Sequence, residues 1–341
     1  MRRRDVLLGG VTLLAGCGMP AAAPLGEAPA SKSPRAPFRV VDLMPELFAY
    51  SREAEGLAPA DARALFVRRI IGPHADVFTA RVLRLPADKP DALEQRLDAW
   101  LPTVPGLLDG MRRIHDTFVA ELEVSTARFL EAFPDFDWSG DLYLIPSLDS
   151  FNGAARLVGG KPALLFGLDV IARSQPNARL SVLMHHELFH FYQESTTDFV
   201  ASSLWIEGLA TQASLALDPR ATVDDALPFS HIHRADDPQL DAPSRRVLLS
   251  QVMPSRVSTL GPRLLAALRS KADDDYADFF LGRATPRMEG EPVRSGYWFG
   301  LELARRIAAR ASDLRTPAGA RPSTLLPDME RELGRLIAEH P

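Results

Sequence analysis

This chain has a single cysteine, no excess of basic residues and no long hydrophobic run. The single cysteine among 341 residues is Cys17, so no disulfide can form within one chain. Lys and Arg number 39 against 44 Asp and Glu, which gives a net charge of −5. No basic stripe and no interleaving of aromatic and basic residues are present, so we expect no nucleic-acid partner.

The first 16 residues have the composition of a signal peptide. Three arginines precede the apolar run Val6–Ala15, which is too short to span a bilayer as a helix. Leu14-Ala15-Gly16-Cys17 resembles a bacterial lipobox, in which the cysteine is lipidated and becomes the new N-terminus. Arg3-Arg4 followed by Asp5 resembles a twin-arginine export signal, although an ordinary secretory signal would look similar.

Residues 17–37 are rich in Pro, Ala and Ser and lack apolar periodicity. Such a segment cannot bury a core, and we expect it to act as a tether. Together with Cys17, it predicts an exported protein, anchored by lipid to the bacterial cell envelope and facing the periplasm or the exterior. The oligomeric state is left open, and residues 38–341 are long enough for one large core or two lobes.

Histidine is rare as well, yet two of the 8 histidines are four residues apart in His186-Glu187-Leu188-Phe189-His190. On a helix these two rings project from one face and can bind one metal ion. Glu187 would then lie beside the metal, where it can hold a water as general base. The alternative is an amphipathic helix with two core histidines. His185 is about 140° around the helix from His190, so we expect it to point away.

A third ligand is expected because catalytic zinc usually has three protein ligands. Glu207, in Trp205-Ile206-Glu207-Gly208-Leu209-Ala210, follows His190 at a distance that allows a turn and a second helix, with Glu207 near its first turns. The small Gly208 and Ala210 would let this helix approach the first one closely. The alternative is a solvated acid on a helix surface. Three residues are plausible N-caps of the second helix: Asp198, Ser202 and Ser203.

His186-Glu187-x-x-His190 followed by the Trp205–Ala210 segment resembles the gluzincin metallopeptidases, the thermolysin-like superfamily. Within it, the chain looks most similar to bacterial predicted zinc-dependent proteases, and the resemblance is strong over residues 140–217. It implies a Zn²⁺ ion bound by His186, His190 and Glu207, with Glu187 as the base. Family members carry an Asp at the position of Thr211 to orient a ligand histidine, so that partner is unassigned here. A Gly-x-Met-Glu-Asn segment is absent, and we expect no aminopeptidase of that type.

The resemblance implies a zincin-like domain over residues 38–341, with lobes of about 38–200 and 201–341. Periodicity predicts an α+β, mostly helical protein with a small sheet before the metal helix and a helical C-terminal part. The predicted elements are helices at Pro45–Glu55, Pro59–Ile71, Asp91–Leu101, Pro105–Phe133, Leu180–Tyr192 and Leu301–Arg310, and strands at Leu142–Ile145, Ala155–Val158 and Ala163–Phe166. An edge strand bordering the cleft could bind an extended peptide. Phe151–Ala154, which leads into it, is either a turn or a substrate contact.

Outside the ligand set, Tyr297 in Gly296-Tyr297-Trp298-Phe299-Gly300 is the candidate hydrogen-bond donor to a developing oxyanion, because the related proteases tend to carry Gly-Tyr-x-x-Gly here. The alternative is an aromatic residue packed under the cleft. His231 and His233 are expected on a loop, in a transition-state contact or a surface role. His115 is expected to be structural or exposed.

The leading hypothesis is a lipid-anchored zinc endopeptidase acting on a peptide or protein. A second hypothesis is an envelope lipoprotein that binds zinc or a partner without catalysis, and an intact Glu187 argues against it. A third is a metal hydrolase of another amide, such as a cell-wall peptide, which the sequence does not separate from the first.

Overall fold

The computed structural model describes residues 39–86, 88–174, 179–193, 199–228, 230–232, 246–282, 285–311 and 313–341. The predicted signal peptide, Cys17 and the predicted tether lie outside these residues, as does His233.

Helices dominate the described residues. The helices are α1 (Met44–Glu53), α2 (Pro59–Phe66), α3 (Ala80–Leu83), α4 (Ala92–Trp100), α5 (Val104–Ala132), α6 (Leu168–Ser174), α7 (Leu180–Tyr192), α8 (Val200–Leu217), α9 (Val223–Ala226), α10 (Leu249–Val252), α11 (Val257–Ala267), α12 (Asp273–Phe280), α13 (Ser295–Ala308), α14 (Arg315–Ala318) and α15 (Pro322–Ala338). The strands are β1 (Arg39–Asp42), β2 (Asp141–Ile145), β3 (Gly153–Val158), β4 (Lys161–Gly167), β5 (Ser230–His231) and β6 (Arg246–Val247). A mostly helical α+β protein with a small sheet is therefore confirmed.

The main sheet is mixed, with the strand order β1-β2-β4-β3. The central strands β2 and β4 are parallel and almost wholly buried, as continuous apolar runs in parallel strands tend to be. The predicted hairpin is confirmed, because β3 pairs antiparallel with β4. This leaves β3 as an edge strand, and α7 packs against it.

The longest helix, α5, buries an apolar stripe against the sheet and the metal helix. Its fully buried residues include Met111, Ile114, Phe118 and Phe129, spaced as one helical face requires. His115, beside this stripe, is structural: its Nε2 lies 2.7 Å from Asp42 Oδ2. Helices α7 and α8 are buried around most of their circumference, so they form the centre of the fold.

The boundaries of two helices that carry candidate site residues differ from the sequence prediction. Helix α8 begins at Val200, so Ser202 and Ser203 lie inside it and are not N-caps, and Asp198 is outside the described residues. Glu207 lies about two turns from the start of α8, which agrees with the predicted position near the first turns. Helix α13 begins at Ser295 and includes the whole Gly296–Gly300 segment, because the two glycines are tolerated where helices pack closely. Within the described residues, every helix is too short or too polar to cross a membrane.

Candidate metal centre

The two histidines of the motif project from one face of α7, as their spacing predicts. Nε2 of His186 and Nε2 of His190 are 3.1 Å apart, and the rings are nearly perpendicular. His186 is buried and His190 is half-buried. Two ring nitrogens this close can bind a single metal ion between them.

Glu207 of α8 completes the cluster. Its Oε2 lies 3.3 Å from His186 Nε2 and 3.6 Å from His190 Nε2. One donor atom from each of the three side chains lies within 4.8 Å of the other two, so this buried group could hold a metal ion. Two imidazoles and one carboxylate form the donor set of many catalytic zinc sites. The solvated-acid alternative for Glu207 is wrong, since this residue is 5% exposed.

The glycine beside Glu207 packs against α13, which corrects the sequence argument. A Cβ on Gly208 would overlap the backbone of Gly300, and a Cβ on Gly300 would lie 3.2 Å from Gly208 Cα. The small residue therefore permits close contact of α8 with α13 rather than with α7. Glu207 is rotated by about 100° from Gly208 on the helix, and its carboxylate faces the histidines.

Charge coupling within the metal-free cluster is strong. Burial alone would lower the pKa of His190, but the charge and hydrogen bond of Glu207 raise it above its usual value. Burial would likewise raise the pKa of Glu207, but the positive charge of His190 and hydrogen bonds from both histidines lower it to about 2. The carboxylate of Glu207 and the positive charge of His190 thus stabilise each other, and the same carboxylate would stabilise a bound metal cation.

Glu187 is fully buried beside the cluster. Among the described residues, neither of its carboxylate oxygens has a hydrogen-bond partner. A buried carboxylate without partners is rare, because losing water is costly unless another group replaces it. Burial raises the pKa of Glu187, and the charges of His190 and His186 lower it in part. The arrangement fits a group that receives a proton from a water or a ligand in this cleft.

A glycine of the edge strand makes room for that carboxylate. A Cβ on Gly153, the first residue of β3, would lie 2.6 Å from Glu187 Cδ. Asn152 precedes it and lines a pocket together with His186 and Glu187. Of the two alternatives for Phe151–Ala154, the position of Asn152 favours a contact with bound molecules, in addition to its role in the turn.

Tyr297 lines the same pocket as His186 and Glu187. Burial raises the pKa of its hydroxyl well above the usual value, and the negative charge of Glu207 raises it further. The hydroxyl therefore stays protonated at neutral pH and is available as a donor. Its ring also packs edge-on against Phe280. Tyr297 therefore both packs against its neighbours and lines the cleft.

Gln193, just after α7, contacts the candidate ligand His190, and the sequence does not predict this contact. Its Nε2 lies 2.8 Å from His190 Nδ1 and donates to the Ile206 carbonyl at 3.0 Å. This side chain joins the end of α7 to α8 and fixes the His190 ring. The only sequence clue is that Gln193 follows His190 by three residues, one helical turn. Thr211, by contrast, donates to the Glu207 carbonyl within α8 at 2.7 Å.

His185 and His231, which the structure describes, are outside the cluster. His185 points away, as expected: its Nε2 lies 3.0 Å from the Ser125 carbonyl of α5, and its ring stacks on Phe129. His231 is not on an exposed loop but is buried in β5, and its carbonyl accepts from Val293 N–H at 3.1 Å. A surface role for His231 is therefore wrong.

Comparisons with known proteins were negative at each level. No family model matches the chain, no curated protein matches it, and no solved structure matches it. The resemblance to gluzincins consequently depends on the motif residues and on the geometry described above.

Proposed function

We propose that this protein is a zinc-dependent metallopeptidase of the gluzincin type. The observation that carries the proposal is the meeting of three metal donors, His186, His190 and Glu207, with the buried carboxylate of Glu187, which has no hydrogen-bond partner among the described residues. A site that only binds metal has no need of an unpaired acid at that position, because such an acid destabilises the fold.

The chemistry is peptide-bond hydrolysis. When bound, zinc supplies a Lewis acid that polarises a carbonyl oxygen and increases the acidity of water. Glu187 takes the proton of the attacking water and passes it to the leaving amine, as general base and then general acid. The raised pKa of Glu187 favours the first step, since a more basic carboxylate takes the proton of the water more readily.

Tyr297 donates a hydrogen bond to the oxygen on which negative charge develops. Its presence in the pocket with Glu187 supports this role. The edge strand β3 would bind the substrate backbone by strand addition, because it is the last strand of the sheet and it borders the same pocket through Asn152.

The proposed fold is a zincin-like domain within residues 38–341. Support comes from the small mixed sheet, whose edge strand packs on the metal helix, and from the third ligand on the next helix along the chain. A non-catalytic lipoprotein is the less suitable alternative because of Glu187. Hydrolysis of cell-wall peptide amides would use the same groups and differs only in the substrate.

The envelope location is a separate proposal that depends on the sequence alone. Lipidation of Cys17 after export would anchor the protein to a bacterial membrane. Fractionation of cells expressing the Cys17→Ser variant tests it, with the wild type as control. We expect the variant in the soluble fraction, whereas its retention in the membrane would contradict the lipid anchor.

Zinc content and proteolysis of an unstructured protein substrate test the function. Elemental analysis of protein purified without added metal should give about one zinc per chain, and Glu207→Ala should lose most of it. Glu302→Ala is a matched control, because Glu302 pairs with Arg305 on α13 outside the site. Full zinc retention in Glu207→Ala would remove Glu207 from the ligand set.

A further inference from the structure

Asp169 is a buried carboxylate that the proposed reaction does not use. It lies at the start of α6 and is 0% exposed. Its Oδ1 accepts a hydrogen bond from Ser147 N at 2.7 Å and lies 3.0 Å from Ser147 Oγ. Its Oδ2 accepts from Asp149 N at 2.8 Å and from Trp100 Nε1 at 2.9 Å. Three N–H donors and a neighbouring hydroxyl make Asp169 the centre of a dense buried network.

Most of these donors belong to the loop Ser147–Phe151, which joins β2 to β3. Two successive residues of this loop adopt left-handed backbone conformations, with φ of 53° at Leu148 and 60° at Asp149. Neither is a glycine, so both positions are strained, and such strain persists only where the surroundings impose it. The bonds to Asp169 impose it here, because the turn directs the N–H groups of Ser147 and Asp149 to the same carboxylate.

The loop ends at the wall of the candidate active site. Ser147 Oγ, besides contacting Asp169, donates to the Phe151 carbonyl at 2.8 Å. The next residue, Asn152, is tied to β4 by a bond from Gly167 N at 2.8 Å and lines the pocket. Gly153 then contacts the Glu187 side chain so closely that a Cβ would overlap it. A continuous set of contacts thus leads from Asp169 to Glu187.

We infer that Asp169 is a positioning residue, which holds the loop Ser147–Phe151 strained and thereby fixes the Asn152–Gly153 wall against Glu187. The role in catalysis rests on the proposed function. The metal donors lie on α7 and α8 and do not share this network, so Asp169 should influence Glu187 without influencing metal content.

Asp169→Asn is the sharpest variant. It preserves shape, but an amide N–H₂ would face donors that now bond to a carboxylate oxygen, so at least one pair becomes donor against donor. We expect the zinc content to be unchanged, kcat to fall by about tenfold to a hundredfold, and KM to change little. Amide hydrogen exchange should accelerate from Ser147 through Gly153 and into the following residues of β3.

Ser147→Ala is the milder variant, for use if Asp169→Asn does not fold. It removes the hydroxyl bond to the Phe151 carbonyl and the contact with Asp169, but it keeps three N–H donors on the carboxylate. Its loss in kcat should therefore be smaller and of the same kind. Glu332→Gln is the control, since Glu332 is a buried carboxylate that pairs with Arg310 and Arg335 far along the chain, in α15. Its kcat per bound zinc should equal that of the wild type.

The outcomes separate the two proposals. Wild-type kcat per zinc in both loop variants, or faster exchange confined to residues 147–151, would overturn the positioning role. A wild type that cleaves no peptide would instead remove the proposed function. Amide hydrogen exchange at Gly153–Ala155 in the Asp169→Asn variant would then test the positioning role without any activity measurement. Faster exchange would support the role of Asp169 in holding the Asn152–Gly153 wall, and unchanged exchange would refute it.

Discussion

Gly208 of α8 and Gly300 of α13 lie in direct backbone contact, and a Cβ on either residue would meet the other helix. The crossing has a consequence for the candidate site. Glu207 is adjacent to Gly208, and Tyr297 is three residues, or about one turn, before Gly300. The two glycines therefore set the distance between a metal donor and the candidate oxyanion donor.

Gly208→Ala should destabilise the protein. The added methyl would overlap the Gly300 backbone, which cannot rotate away as a side chain could, so the helices must separate. We expect a loss of about 1–3 kcal/mol in the free energy of unfolding, measured by urea denaturation. Gly334→Ala in α15 is the control: nothing lies within 4 Å of its Cβ position, so the substitution should stabilise by up to about 1 kcal/mol. Equal stabilities of the two variants would contradict this crossing.

Gln193→Ala should weaken zinc binding without abolishing it. The Gln193 amide lies against His190 Nδ1 and connects this ring to Ile206. When His190 binds zinc through Nε2, its Nδ1 carries a proton, and the amide oxygen of Gln193, which has no partner among the described residues, is the group that can accept it. Loss of such an orienting partner typically lowers metal affinity by about 10- to 100-fold. Competition with a chromogenic chelator gives the affinity. Thr211→Val is the comparison, because its hydroxyl contacts only its own helix, and it should bind zinc more tightly than Gln193→Ala. The reverse order would assign the orienting role to Thr211.

Zinc affinity should rise with pH. Without a metal, the pKa of His190 is raised above its usual value and that of Glu207 is about 2. Glu207 is therefore ionised over the whole range, and His190 keeps its proton to a higher pH than a free imidazole does. Zinc must displace this proton. Below the raised pKa, the dissociation constant should decrease by about tenfold per pH unit, and above it the affinity should level off. Titrations between pH 5.5 and 9 test this, and an affinity independent of pH would contradict a protonated His190.

Tyr297→Phe separates the two roles of Tyr297. Phe keeps the packing against Phe280 and removes the hydroxyl. Loss of an oxyanion donor typically lowers kcat by about 10²–10³-fold, and we expect KM and zinc content to stay near their wild-type values. Unchanged kcat would mean that Tyr297 serves only in packing.

Local patterns account for the parts of the molecule that the sequence predicts well. The His186–His190 spacing predicts the shared helix face, and alternation with a Gly-Gly turn predicts the β3–β4 hairpin. The sequence does not predict strand β1, because this strand has only four residues, is half-exposed and follows the Pro-rich segment. Its place in the sheet depends on parallel pairing with β2, about a hundred residues away.

The features of the site that the sequence does not predict have a common physical origin. The role of Gly208 and the supports supplied by Gln193 and Asp169 depend on which helix or loop lies opposite, and that is a property of tertiary packing. Composition gives no sign that Asp169 would collect donors from Trp100 and from a loop twenty residues earlier. The spacing of the candidate ligands is local and can be predicted, whereas contacts such as those of Asp169 and of Gly208 join residues that are distant in sequence.

Glu187→Gln tests the central claim most directly, because it removes the base and keeps the shape of the side chain. Peptide cleavage and zinc content should be measured on one preparation, with Glu302→Gln as the matched control. We expect zinc at the wild-type level and cleavage reduced by at least the roughly 10²–10⁴-fold typical of general acid–base catalysis. Cleavage by Glu187→Gln at a rate near that of the wild type would contradict the proposed mechanism.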